Sequence, residues 1–499
     1  MVAYEDFLPS VIAKPALALS PDGRQVAYID DTLGQFNLVV QPLSGGPPQR
    51  LTSYEDTTVI WPAWFPDGQA LLFQADPKGT EHYQLYRVGV NGGAPQPVAP
   101  DADPTAQYFP SDGNPFAPDG RRLVYASNQR TEEELDILVR DLVTGEVRSL
   151  YSDGGRIFPG YWSPDGRWIT ATWFRAGRSD HVIFVIPATG GPARRLTPLE
   201  ESTTYWLGPW LPDGSGFLVM TAAGRDFTEL AVMDPTTGEL SWLDTPGWNV
   251  EEVALARAGH TLVWSVNVDG ASALRARDLR SGRDLSLPAL PPCEISGLDL
   301  TPDGRTAVMA MSTPTSPTNI VTVDLTTGQL HRLTAAAPAS ADPAGFVEPE
   351  LVRYPARDGC QIPAYVYRPE HRSGRLGVVL VVHGGPAAQE RSSYSNDGFL
   401  QYLVALGLAV VAPNIRGSGG YGMAYQRLSH RDWGGADLRD LADAAAWLQR
   451  QPWVDPARIG LVGRSYGGFA VLSCVARLPE IDWAAAAVWC GPSNLVTFT

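Results

Sequence analysis

Arg458 to Ala470 reads Arg-Ile-Gly-Leu-Val-Gly-Arg-Ser-Tyr-Gly-Gly-Phe-Ala, an apolar strand running through Gly463-Arg464-Ser465-Tyr466-Gly467 into a helix. A serine on such a strand-to-helix turn presents its hydroxyl as a nucleophile for acyl transfer. Glycines at 463 and 467 suit the turn because backbones approach too closely there for side chains, and Gly468 lets the helix pack tightly on the sheet. Tyr466 carries its N–H to the helix N-terminus, where an oxyanion is stabilised. Upstream, His383-Gly384-Gly385-Pro386 follows a second strand-like run, Leu376 to Val382. A His-Gly-Gly loop in that place supplies the other backbone donors of an oxyanion hole. His383 precedes the serine and leaves a different strand, so its ring is expected to orient or pack, not to act as the triad base. Asn414 to Gly422 is a third, glycine-dense loop behind a strand. Its Arg416 has two readings, a contact to a substrate carbonyl or carboxylate and a buried arginine tying loops together.

In hydrolases of this architecture the triad runs Ser, then Asp or Glu, then His along the chain. Only 34 residues follow Ser465, with no histidine and two acids, Glu480 and Asp482, both in the link between the post-elbow helix and the next strand. The expectation is a catalytic domain truncated before its triad Asp and His, and little activity in the 499 residues as they stand.

These motifs need a scaffold, and the chain has two grammars. Pro-Asp-Gly recurs with Asp22, Asp67, Asp119, Asp165, Asp213 and Asp303 as markers, and Arg257-Ala258-Gly259 is a degenerate copy. Successive markers are 45, 52, 46, 48, 45 and 45 residues apart, each ahead of a strand-like run such as Gln25 to Ile29. Strands between tight turns at that period predict seven four-stranded propeller blades of the TolB or WD40 kind. The marker aspartates are read as turn residues, and Trp64, Trp162 and Trp210 as blade packing. Glu132-Glu133-Glu134 has the form of a site for a substrate amino terminus, but an exposed turn ahead of Leu135 to Asp141 is the favoured reading. After the low-complexity stretch Ala335 to Gly345, apolar strands alternate with helices over Leu400 to Leu406, Asp437 to Arg450 and Tyr466 to Leu478, which predicts a mostly parallel α/β sheet. The expected division is an N-terminal segment over 1–14, a seven-bladed β-propeller over 15–335, a linker over 336–348 and an α/β-hydrolase domain over 349–499.

Lys plus Arg is 38 against 54 Asp plus Glu, a net charge of −16, which argues against nucleic acid and anionic membrane as partners. Four unpaired cysteines give no disulfide framework, and the start lacks a signal-peptide pattern, so a cytoplasmic protein with reduced thiols is expected. No metal or cofactor motif is seen.

The marker repeats, His383-Gly384-Gly385-Pro386, Asn414 to Gly422 and Gly463 to Gly468 together resemble the prolyl oligopeptidase family of serine peptidases (S9), most closely its acylaminoacyl-peptidase branch. The resemblance spans nearly the whole chain. It implies Ser465 as nucleophile, the N–H groups of Tyr466 and Gly385 as oxyanion donors, and a propeller that admits short peptides and excludes folded proteins. Arg464 stands where that branch often has glycine. The expected activity is hydrolysis of short, including N-acylated, peptides through an acyl-enzyme, with self-association left open. Two other readings stand beside it: an esterase, and a propeller interaction module carrying a non-catalytic hydrolase remnant.

Overall fold

The computed structural model describes residues 2–99, 103–111, 113–175, 180–199, 203–370 and 374–495. Seven four-stranded sheets follow one another from Ala13–Leu19 to Leu330–Arg332, each an antiparallel meander of strands consecutive in sequence. The Pro-Asp-Gly turns join first strand to second in six blades, and Arg257-Ala258-Gly259 does so in the remaining one. In one of them Asp165 Oδ1 accepts the Arg167 N–H at 3.0 Å and the Ser163 hydroxyl at 2.6 Å, while Gly166 takes φ +68°. The aspartates are spent inside their own turns. Neighbouring turns also touch: Gly68 lies against Pro21, Gly120 against Pro66 and Gly166 against Pro118. Gly23 closes the circle on Pro302, where any side chain would meet the proline ring at 2.5 Å.

The tryptophans staple blade to blade. Trp64 Nε1 donates to Ala18 O at 3.0 Å, Trp162 Nε1 to Pro115 O at 3.0 Å, and Trp210 Nε1 to Tyr161 O at 3.1 Å, each acceptor lying in the preceding blade. The rings meanwhile bury apolar surface. First and last blades share no strand. Their seam is filled by Leu19, Val26, Tyr28, Val308, Ala310 and Ile320, and the Leu19 N–H donates across it to Asp299 at 3.0 Å. Over the seam the N-terminal segment pairs with the linker: Ser10 N–H donates to Ala337 O at 2.7 Å and Ala339 N–H to Leu8 O at 2.8 Å. Tyr4 and Phe7 of the same segment stack on Phe399, Tyr402 and Phe346 beyond the linker.

The second domain is one six-stranded sheet of β1 (Glu350–Pro355), β2 (Gln361–Tyr367), β3 (Leu376–Val382), β4 (Ala409–Pro413), β5 (Val454–Arg464) and β6 (Ala485–Trp489), in the order β1-β2-β4-β3-β5-β6. Strands β4, β3, β5 and β6 are parallel, as the alternation predicts, but β1 and β2 form an antiparallel hairpin and β2 pairs antiparallel with β4. The hairpin was not foreseen because β1, half exposed and carrying Glu350 and Arg353, lacks the apolar run that marks an inner strand. Helices α1 (Phe399–Ala405), α2 (Met423–Arg427), α3 (Ala436–Gln449) and α4 (Tyr466–Arg477) complete the domain. Val378, Leu380, Val411, Leu441, Leu461 and Val471 form the core between sheet and helices.

Candidate active site

Ser465 sits between β5 and α4 with φ 55° and ψ −123°, a conformation costly for a residue with a side chain and held here by its surroundings. Its N–H donates to Trp489 O at 3.0 Å and its carbonyl accepts the Phe469 N–H at 3.1 Å. The glycines around it are steric requirements. A side chain at Gly463 would reach the Gly467 carbonyl at 2.3 Å, one at Gly467 the Val382 carbonyl at 2.0 Å, and one at Gly468 the Gly491 Cα at 2.7 Å. The elbow is therefore pressed against the end of β3, which is why its sequence is so glycine-rich.

That contact brings the His-Gly-Gly loop to the serine. A β-carbon on Gly384 would stand 3.3 Å from Ser465 Cβ. Gly384, Gly385 and Ser465 line one cavity of about 630 Å³ whose opposite wall includes Glu294, Ser312 and Thr318 of the propeller. Tyr466 opens α4, so its N–H lacks an intrahelical partner. His383 is engaged elsewhere: Nδ1 lies 2.7 Å from Gly384 O and Nε2 2.8 Å from Ser418 Oγ. Burial depresses its pKa, so the ring is neutral. Nδ1 faces the Gly384 carbonyl, and Nε2 faces the Ser418 hydroxyl, which also lies 2.7 Å from the Ile415 carbonyl. The ring locks two loops together and is not presented to Ser465.

Arg416 lies away from the cavity lining. Buried, it gives its N–H, Nε and Nη2 groups to Asp440 at 2.9, 2.9 and 2.7 Å and Nη1 to Asp358 at 2.7 Å. It is placed as a loop tie, and it draws the Asp358 carboxyl down to about 2. Glu132 and Glu133 are exposed in a turn, and Glu134 pairs with Arg130 at 2.5 Å.

Sequence reading missed how α3 ties together the elbow, the glycine loop and the β1–β2 turn. Asp437, Asp440 and Asp443 lie three residues apart on it: Asp437 accepts the Tyr466 hydroxyl of the elbow, Asp440 holds Arg416 of the glycine loop, and Asp443 takes Arg357 of the β1–β2 turn at 2.9 Å. The signal was present as acids at one helical face of an otherwise Ala- and Leu-rich helix, a pattern that normally marks a solvated side. Also unforeseen was Glu390 on the cavity wall, which accepts a bond from Ser395 and which burial raises to about 7.

The cavity lies between the domains. Arg391, on its wall, crosses to Glu251 at 2.9 Å and to Ser272 at 3.1 Å, Tyr394 N–H reaches Ser312 at 3.0 Å, and Ala424 N–H reaches Asp226 at 2.6 Å.

A strained serine at the carboxyl edge of a parallel sheet, roofed by a seven-bladed propeller, defines a serine hydrolase of the α/β-hydrolase fold. The family model described as the prolyl oligopeptidase family matches residues 394–499. Dipeptidyl aminopeptidase BIII of Pseudoxanthomonas mexicana is 28% identical over 96% of this chain and 70% of its own length. The uncharacterized peptidase YuxL of Bacillus subtilis (strain 168) is 26% identical over 90% of this chain and 69% of its own. The crystal structure of puromycin hydrolase shares the fold, with a TM-score of 0.82 at 21% identity over 99% of this chain and 80% of that one. Residues 394–499 thus carry a prolyl oligopeptidase family domain, and the similarity to peptidases extends over most of the chain.

Proposed function

We propose that Ser465 is the nucleophile of a peptidase that hydrolyses short peptides, N-acylated ones included, through an acyl-enzyme, with the propeller as a size filter. The observation that carries this reading is the strained Ser465 at a cavity shared by Gly384, Gly385 and the propeller wall. Ser465 Oγ attacks the scissile carbonyl, and the developing oxyanion takes the N–H groups of Tyr466 and Gly385. The departing amine leaves an ester on Ser465, which water then cleaves.

The serine proton needs a base. No histidine follows Ser465 in the 499 residues, and His383 is held by Gly384 and Ser418. Loss of the base alone costs about 10⁶-fold in turnover in subtilisin. A polypeptide of these residues is thus expected to label very slowly with a fluorophosphonate. Where a histidine base is supplied to Ser465, labelling is expected to be rapid and to be lost on Ser465→Ala. Brisk Ser465-dependent turnover by the 499-residue polypeptide would assign the base to His383 or His430. Labelling that survives Ser465→Ala would place the reactive serine elsewhere, and no labelling even with a base present would leave the domain as a non-catalytic remnant. Profiling blocked peptides, free-amino peptides and simple esters against each other then fixes the substrate class. Preference for an ester over every peptide would replace the peptidase reading by an esterase.

A further inference from the structure

The three aspartates of α3 are not equivalent. Asp440 and Asp443 meet arginines, whereas Asp437 is 99% buried with no ion pair among the described residues and receives the hydroxyl of the residue that follows the nucleophile. Asp437 is not needed to cap α3. That task falls to Asp432, whose Oδ2 accepts the Ala436 N–H at 2.9 Å, while Asp437 takes only a long bond from the Gly434 N–H, at 3.3 Å. Among the described residues its Oδ1 has no hydrogen-bond partner at all. Burying a carboxylate with a bare oxygen is destabilising by roughly 1–3 kcal/mol, so this group is not explained by what it adds to stability.

Its place explains it better. The Tyr466 ring is buried and packed edge-on against Trp433 and tilted against Phe469, which leaves the phenol one direction to point. Burial and the neighbouring carboxylate hold that phenol far above its usual pKa, so it stays a donor. The bond therefore runs from the first residue of α4 to the first turn of α3, and it fixes the turn in which the Tyr466 N–H and Ser465 lie.

We propose that Asp437 is a positioning residue: through the Tyr466 hydroxyl it sets the orientation of the Tyr466 amide toward the oxyanion and thereby the rate of acylation. The proposal rests on Ser465 as the nucleophile. Displacing a reacting group by about 1 Å can cost on the order of 10²-fold, so a tether of this kind is worth a measurable share of turnover.

The test uses catalytically active enzyme, a short chromogenic peptide, a peptidyl trifluoromethyl ketone that forms an oxyanion on the serine, and the product peptide as a ground-state ligand. Tyr466→Phe and Asp437→Ala are expected to lower kcat by about tenfold to a hundredfold with KM nearly unchanged. They should weaken the ketone by the same factor and leave product affinity alone. Asp437→Asn keeps an acceptor oxygen and should recover most of the loss, and the double variant should be no worse than either single one. Full kcat and ketone affinity in Tyr466→Phe would overturn the proposal. So would ketone and product affinity falling together, the mark of a merely structural tie. If Asp437→Ala does not fold, the near-isosteric Tyr466→Phe decides alone. Activity that survives Ser465→Ala would instead defeat the nucleophile assignment, a result that Tyr466→Phe cannot imitate.

Discussion

The propeller and the hydrolase domain use the same polar residues in opposite ways. In the marker turns of the propeller an aspartate bonds a residue two positions away, as Asp165 does with Arg167, and the turn is complete within itself. In the hydrolase domain Asp440 meets a residue 24 positions away, Asp437 one 29 away and Asp443 one 86 away. Local bonds make a repeated part whose failure is contained. Long-range bonds make a frame in which one side chain holds several loops, as a site built from the ends of separate strands requires.

The contrast breaks most visibly at Arg416. Arg416→Met leaves Asp440 buried without its partner and should lower the stability of the hydrolase domain by about 3–5 kcal/mol. Adding Asp440→Leu should restore most of that, because an apolar pair of similar volume needs no compensation. Urea unfolding followed separately in each domain checks it. A propeller transition that moves with Arg416→Met would show that the two regions do not fail independently.

A smaller effect lies at the wall between them. Glu390 titrates at about 7 in the folded protein against an ordinary 4.5, chiefly through burial. Between those values the folded state holds a proton that the unfolded chain has lost, so stability falls as pH rises from 4.5 to 7 and levels off above. The drop from this group is about 3 kcal/mol. Glu390→Gln, neutral throughout, should flatten that part of the profile. An unchanged slope in the variant would mean that the carboxylate is solvated when charged.

The smallest change is expected in the repeats. Asp165→Ala removes bonds at an exposed turn and should cost under about 1 kcal/mol, leaving activity intact. A loss as large as that of Arg416→Met would erase the distinction.

The same difference decides what could be read in advance. Pro-Asp-Gly and the elbow glycines carry their reasons within a few residues, so the blade number and the strand-turn-helix around Ser465 were legible in the sequence. Arg416 and Asp437 were not, since their partners are brought up only by folding, and an acidic stripe on a helix looks the same whether it faces water or holds three loops. The β1–β2 hairpin escaped for a related reason: an edge strand is defined by its neighbour more than by its own composition.

The ribbon between residues 6–10 and 337–341 has a mechanical meaning. A ring whose ends share no strand is a split washer, and this strip is its only hasp of backbone bonds among the described residues. Because the other half of the hasp is the tether to the hydrolase domain, spreading the ring and tilting the lid load the same fastening. The N-terminal strip is thus shared by ring closure and lid attachment, and a cut behind Ser10 would open the ring at that fastening.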